Sequence, residues 1–469
     1  MADLGLTELS AREIARRVNA REVSPVAVIE AHLAAIARRN PAINAVVTLA
    51  ADEALAAART LERRLGEGHA GGPLAGVPLG VKDTHLTKGL RTTFGAPLMK
   101  DHVPTADSLI VARCRAAGAI VIGKTNVPEF ALGANTVNAI FGATGNPWNP
   151  TLSASGSTGG GAAGLATRMF ALATGSDLGG SLRTPAAFCG VVGLRPSPGL
   201  VPHVPTALPW STLSVDGPMA RDVADLALML QAIAGPHPDE PNVVPVAGRD
   251  FVAAAAGGAK PGLRIGYVPD IAGIGIDPDI ERVCRATAFK LRERGCSVEE
   301  TELDLSPGRR AFIQLRGQLI VAAHADKLDK LDRLGPNIAS NIRLGLAQSP
   351  IDIAQGELGR SELLRRVNAF FARYDRLLTP CVPVPPFPHA QLYPETIAGR
   401  TMETYIDWVA PTFVITLTGL PALAVPAGLD GSGLPVGLQV VAPRWDEEGA
   451  LALGAEVERV AAMPGPPLG

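Results

Sequence analysis

The sequence predicts an α/β fold, and three observations carry that prediction. Helical and strand-like segments alternate: Ala106 to Ala117 has helical spacing and runs into the β-branched stretch Ala119 to Ile122. Leu263 to Val268, Asp277 to Arg294 and Ser297 to Leu303 repeat the pattern as strand, helix and strand. Finally, the stretch from Ser153 to Pro196 encloses an apolar run, Ala162 to Thr174, between two clusters of glycine and hydroxyl residues. That run is long enough for a short helix followed by a strand, which a flexible linker would not contain.

From the N-terminus, Ser10 and Glu13 form a capping box, and Ser24-Pro25 supplies a cap followed by proline in the first turn. Helices are expected over Ser10 to Ala20, Pro25 to Arg39 and Ala51 to Leu65, with a strand at Ile43 to Val47. Leu74 to Asp83 reads as an apolar strand that ends in Lys82. Asp216-Gly217-Pro218-Met219 reads as a turn before a helix, Val223 to Ala234. Residues 236–256 are rich in proline and alanine and read as a surface connection. Ala311 to Phe371 is expected to be mostly helical. Leu377 to Pro388 carries too many prolines for a central strand. Two apolar segments, Pro421 to Pro426 and Leu434 to Val441, precede a last helix over Glu447 to Ala462.

Bulk properties narrow the function classes. With 469 residues, 47% of them hydrophobic, the chain can bury a large core. Lys+Arg number 43 against 45 Asp+Glu, so no basic field invites nucleic acid or an anionic membrane. Aromatics at 4% supply no stacking platform for single strands. The five cysteines are scattered without C-x-x-C spacing, and the eight histidines without H-x-x-x-H spacing, which argues against a disulfide framework or a zinc site. The first residues show no secretory signal, and the apolar stretch Phe413 to Leu429, broken by Pro421 and Pro426, is too short to span a bilayer. The expectation is a cytoplasmic protein without metal or cofactor.

Two glycine motifs mislead. Gly118 to Thr125 matches G-x-x-x-x-G-K-[ST], but a phosphate loop needs a strand before it and a helix after it. Here a helix precedes, β-branched residues fill the middle and Pro128 follows. Gly159-x-Gly161-x-x-Gly164 matches a dinucleotide fingerprint with no apolar strand leading into it.

Serine chemistry fits better. The clusters Ser155 to Gly161 and Ser176 to Ser181 place serines in loops whose backbone N–H groups can face a developing negative charge. No serine sits in G-x-S-x-G, and no histidine sits in a suggestive motif, although a Ser-His-Asp arrangement stays open. A lysine can also serve as the base. Lys82 would have to be neutral, whereas a free lysine titrates near about 10.4. Lowering it by some three units corresponds to roughly 4 kcal/mol, within reach of burial among apolar residues and hydroxyl groups.

These residues resemble the amidase signature family of serine hydrolases. The likeness takes in the Lys82 strand, Gly123 to Asn126, Gly142 to Asn149, the central stretch, Asp216 to Arg221 and Leu434 to Val441. It implies a mixed central β-sheet flanked by helices on both faces, formed as one domain over 1–469. Within it, 1–70 would be a helical flank, 71–230 the catalytic core, 231–262 a surface connection and 263–469 a second α/β part with a helical pocket region at 311–371. The resemblance also implies a Ser–cis-Ser–Lys triad, with Ser181 as nucleophile, Ser157 as relay and Lys82 as base; the two serines stand 24 positions apart, as in the family. Backbone N–H groups of Leu178, Gly179, Gly180 and Ser181 would form an oxyanion hole, with Thr158, Asp177 and Arg183 in support. Thr158, Gly161, Leu178 and Arg195 depart from the usual family residues. The implied activity is hydrolysis of a small aryl or alkyl amide through an acyl-enzyme, extending to esters, anilides or carbamates, by a monomer or homodimer. Gly133 to Phe141, Phe312 to Leu346, Tyr405 and Trp408 are expected to wall the pocket. The alternative is the glutamine-hydrolysing subunit of a tRNA-dependent amidotransferase.

Overall fold

The computed structural model describes residues 5–467, so residues 1–4 of the N-terminal reading lie outside it. Eleven strands build the main sheet. They are β1 (Val46–Leu49), β2 (Pro78–Lys82), β3 (Ile120–Thr125), β4 (Leu172–Asp177), β5 (Val192–Arg195), β6 (Val215–Ala220), β7 (Arg264–Tyr267), β8 (Ser297–Glu300), β9 (Arg376–Pro380), β10 (Ala422–Leu429) and β11 (Pro435–Val441). Their order across the sheet is β1-β3-β2-β4-β6-β5-β10-β11-β9-β7-β8. The sheet is mixed: β3, β2 and β4 run parallel, as do β9, β7 and β8, while antiparallel pairings join the middle strands.

Period-two alternation separates two cores, one on each face. Leu172, Leu378, Leu423 and Val440 join one apolar cluster, and their neighbours Ala173, Leu377, Ala422 and Val441 join the other. The first face is covered by α1 (Ala11–Asn19), α4 (Leu109–Ala116), α7 (Val223–Ile233), α8 (Phe251–Gly257), α9 (Pro278–Lys290) and α14 (Glu447–Ala461). The second carries α5 (Gly159–Ala166), α6 (Arg183–Cys189), α10 (Gly308–Ala323), α12 (Pro350–Phe371) and α13 (Ala410–Thr418). Between α1 and α4 lie α2 (Pro25–Ile43) and α3 (Ala51–Gly66), and α11 (Pro336–Leu346) joins α10 to α12. Ser10 and Ser24 cap α1 and α2 through their hydroxyls, as the cap residues require.

Four local readings need correction. The first strand is Val46–Leu49, because α2 continues to Ile43 before Asn44 turns left-handed at φ 55°. Asp216 to Met219 lies inside β6, paired to β4 from Thr174↔Pro218 to Ser176↔Asp216; ladder pairing overrides the local turn chemistry of Asp-Gly-Pro. Leu377 to Pro380 forms β9, a strand with neighbours on both sides, because the remaining prolines start only after it ends. The stretch 236–256 also contributes the start of α8, whose Phe251 is buried.

Candidate active site

Lys82 ends β2. Leu79 and Val81 of that strand pack into the first core, so Gly80 and Lys82 point to the opposite face. The Lys82 amine is fully buried, 2.9 Å from Ser157 Oγ, 2.8 Å from Thr158 Oγ1 and 2.9 Å from Ser176 Oγ. Burial lowers its pKa to about 7, against the smaller opposing pull of Asp216 and Asp177. Asp83, its chain neighbour, turns away and accepts from the Thr93 amide. The three hydroxyls include Ser176, which sequence reasoning placed in the motif without a role; a hydroxyl at the end of a strand beside β2 was the available signal.

Ser157 follows a cis peptide bond from Gly156. Thr158, expected to reach Lys82, does so, and α5 begins immediately after it. Ser181 lies in the loop between β4 and α6. Ser157, Ser176 and Ser181 together line a cavity of about 390 Å3. Ser181 also lines a second, smaller cavity of about 50 Å3 with Gly156, Gly179, Phe312, Arg316 and Tyr405. No hydrogen bond joins the Ser157 and Ser181 hydroxyls among the described residues.

The loop carrying Ser181 is braced from beneath. Arg183 and Asp177 pair in a two-pronged contact, Nε to Oδ2 at 3.0 Å and Nη2 to Oδ1 at 2.9 Å, both side chains fully buried. Asp177 also accepts from the amides of Gly180 (3.0 Å) and Leu182 (3.1 Å). Burial alone would push its carboxyl up; Arg183, with Arg195 behind it, outweighs that and holds it well below the usual carboxylate range. Of the four amides expected to face an oxyanion, the Gly180 N–H is thus engaged by Asp177. Those of Leu178, Gly179 and Ser181 have no protein acceptor among the described residues. Gly180 itself sits at φ +123°, where a Cβ would also strike Thr412. Asp177→Asn should lower the unfolding free energy by about 3–5 kcal/mol, because it leaves buried guanidinium charge without its partner. Urea titration measures this, and a loss under about 1 kcal/mol would contradict the bracing role.

A histidine–carboxylate cluster that sequence reasoning missed borders the same cavity. Asp216 Oδ1 lies 3.1 Å from His85 Nε2 and 2.8 Å from His203 Nδ1, and all three residues line the larger cavity. Burial opposes the charge on Asp216, but the two imidazoles hold its carboxyl below the ordinary range. His85 Nδ1 lies 2.8 Å from Thr174 Oγ1, which also accepts the Lys82 backbone N–H.

Lys124, the lysine of the apparent phosphate loop, is buried in β3. Its amine donates to the His85 carbonyl and to the hydroxyls of Thr87 (2.8 Å) and Thr92 (3.0 Å), fixing the loop after β2. Pocket walls come partly from the expected segments. Leu319, Ile320 and Ala323 of α10 line the larger cavity, and Gly133, Ala134 and Tyr405 the smaller. Trp408 does not; it is fully buried, stacked on Phe188 with ring centroids 5.4 Å apart. Among the described residues no group of three or more His, Cys, Asp or Glu side chains is placed to hold a metal ion, and no helix is long and apolar enough to cross a membrane.

Comparison with known proteins adds to this geometry. A family model described as Amidase matches residues 27–451. The acylamidase of Rhodococcus erythropolis is 34% identical over 468 residues, spanning 98% of this chain and 97% of its own. A glutamyl-tRNA(Gln) amidotransferase chain of Acidothermus cellulolyticus is also 34% identical, over 97% of this chain and 94% of its own. The crystal structure of a bacterial aryl acylamidase of the amidase signature enzymes superimposes with a TM-score of 0.90 at 30% identity, covering 96% of each chain.

Proposed function

The chain belongs to the amidase signature family of carbon–nitrogen hydrolases, and from that premise we propose that it cleaves a small aryl or alkyl amide through a Ser181 acyl-enzyme. One observation carries the proposal: a buried Lys82 amine, whose pKa burial lowers to about 7, bonded to the hydroxyl of Ser157 in a cavity that Ser181 shares. A neutral amine has two N–H bonds and one lone pair, so with three hydroxyl neighbours it donates to two and accepts the O–H of Ser157. Ser157 then passes its own proton to Lys82 while its Oγ takes that of Ser181, as the Ser181 oxygen attacks the carbonyl carbon. The oxyanion faces the amides of Leu178, Gly179 and Ser181, to which Gly180 would add only on release from Asp177. When the C–N bond breaks, the departing nitrogen takes its proton from Ser157, which Lys82 replenishes. Water, deprotonated along the same path, cleaves the ester and frees the acid.

Apolar walls from Phe94, Met99, Phe130, Leu132, Leu319 and Ile320 support an aryl or alkyl group in the larger cavity. The five cysteines, all free and buried among the described residues, suit a reducing, cytoplasmic setting. The second reading is a glutamine-hydrolysing component of an amidotransferase, favoured by the relatedness to the Acidothermus cellulolyticus protein. A panel separates the two: a p-nitroanilide, a p-nitrophenyl ester, an aryl carbamate, a primary amide and glutamine. Turnover of the anilide or primary amide by the isolated chain supports the amidase. Turnover of glutamine alone, with co-purifying partner proteins, would transfer the assignment to the amidotransferase.

A further inference from the structure

We infer that the acyl part of the substrate carries a carboxylate, which Arg316 receives; the inference rests on the amidase reading of this site and names its substrate class. Arg316, on α10, is only 6% exposed. Its guanidinium donates to Asn341 Oδ1 and, at 2.6 Å, to the Tyr405 hydroxyl. Both partners are neutral, and among the described residues no carboxylate pairs with it. The Asn341 amide in turn donates to the Tyr405 hydroxyl at 2.8 Å and to the Asn337 carbonyl at 2.7 Å, so the two partners are fixed and hold the guanidinium in place. Arginine is rarely buried without a counter-charge, and its planar fork matches a carboxylate in two prongs. The Tyr405 ring, 5.9 Å from the guanidinium carbon, offsets only part of its charge, which leaves the group ready for an anion in the cavity.

Its position says which part of the substrate supplies that anion. Arg316 lines the 50 Å3 cavity together with Gly156, Gly179 and Ser181. Ser157, which hands the proton to the departing nitrogen, lines the other, larger cavity. The amine must therefore leave on the larger side. The acyl chain, bonded to the same carbonyl carbon, extends into the smaller one. Space for on the order of four water-sized groups accommodates a carboxylate on a short linker, and little more. No aspartate or glutamate lines the small cavity, so nothing there answers the ammonium group of a free amino acid. The substrate class that fits is the half-amide of a short dicarboxylic acid, with an apolar amine.

The test compares three anilides with the purified full chain: N-succinyl-p-nitroanilide, the neutral N-butyryl-p-nitroanilide, and 4-(acetylamino)benzoate, which carries its carboxylate on the amine side. Wild type should favour the succinyl over the butyryl compound by at least about tenfold in kcat/KM, and Arg316→Gln should collapse that ratio at least tenfold. A preference for butyryl, a preference for the benzoate, or an equal fall of both anilides in Arg316→Gln would overturn the inference. If wild type cleaves none of the three, the amidase reading is in question, and binding decides the present point alone. Calorimetry of succinamate with Ser181→Ala should give heat that is lost in Ser181→Ala/Arg316→Gln. Absence of heat in the single variant, or equal heat in both, would overturn it.

Discussion

Replacing Ser181 by alanine should lower kcat on any amide the chain turns over by at least about three orders of magnitude while leaving the fold intact. The loss is expected to be that large because the hydroxyl is the atom that bonds to carbon, and no neighbouring group can take its place from the same position. The fold should survive because the Ser181 side chain makes no hydrogen bond that holds the loop; the loop hangs on Asp177 and Arg183. Stopped-flow hydrolysis and a thermal melt on the same preparation check both halves. Retained activity with an unchanged melt would remove Ser181 from the nucleophile's position and point instead to Ser157 or Ser176, the cavity hydroxyls bonded to Lys82.

Lys82→Met should abolish turnover and at the same time raise stability at neutral pH. The same residue fixes the acid side of the pH profile. Its amine is held at about 7 by burial, against the ordinary lysine value of 10.5. Proton abstraction needs the neutral form, so kcat/KM should rise through pH 7 with an apparent pKa near that value and fall tenfold per unit below it. For stability the sign follows from proton counts. Between pH 7 and 10.5 the unfolded chain holds a proton on Lys82 that the folded chain lacks, so wild-type stability rises with pH across that window. Below pH 7 the full penalty, on the order of 5 kcal/mol, is in place. The methionine variant escapes it, so its advantage should be greatest below pH 7 and vanish above pH 10.5, less what the orphaned hydroxyls of Ser157, Thr158 and Ser176 cost. Chemical denaturation of both proteins at pH 6.5 and pH 10 measures this. A variant less stable than wild type at pH 6.5 would show that burial does not penalise the charged amine.

Much of the site was legible because it is local. Ser157, Thr158, Asp177, Ser181 and Arg183 lie in one stretch of 27 residues, and the helix–strand unit between the loops brings their ends together. Lys82 could be flagged from its apolar strand alone, since a lysine there has to find partners other than water. The cluster around Asp216 was not legible: His85 is 131 positions away, and the Asp-Gly-Pro sequence advertises a turn that pairing with β4 suppresses. Arg316 was equally hidden. On α10 it is one of several arginines, and only Asn341 and Tyr405, 25 and 89 positions on, hold it at the cavity wall.

The central position of β5 has a consequence for how the molecule comes into being. Its free edge pairs Arg195, Leu194 and Gly193 with Ala422, Leu423 and Ala424, strand residues that leave the ribosome 227 positions later. At common rates of synthesis that interval is roughly 10 to 45 s. For that time a row of unpaired amides and carbonyls in the middle of the future sheet stands open to any passing strand. Arg183 waits as long for the Thr412 carbonyl and the Thr416 hydroxyl. Until Ala422 to Ala424 emerge, this edge lacks its partner strand, and Arg183 holds the nucleophile loop through Asp177 alone.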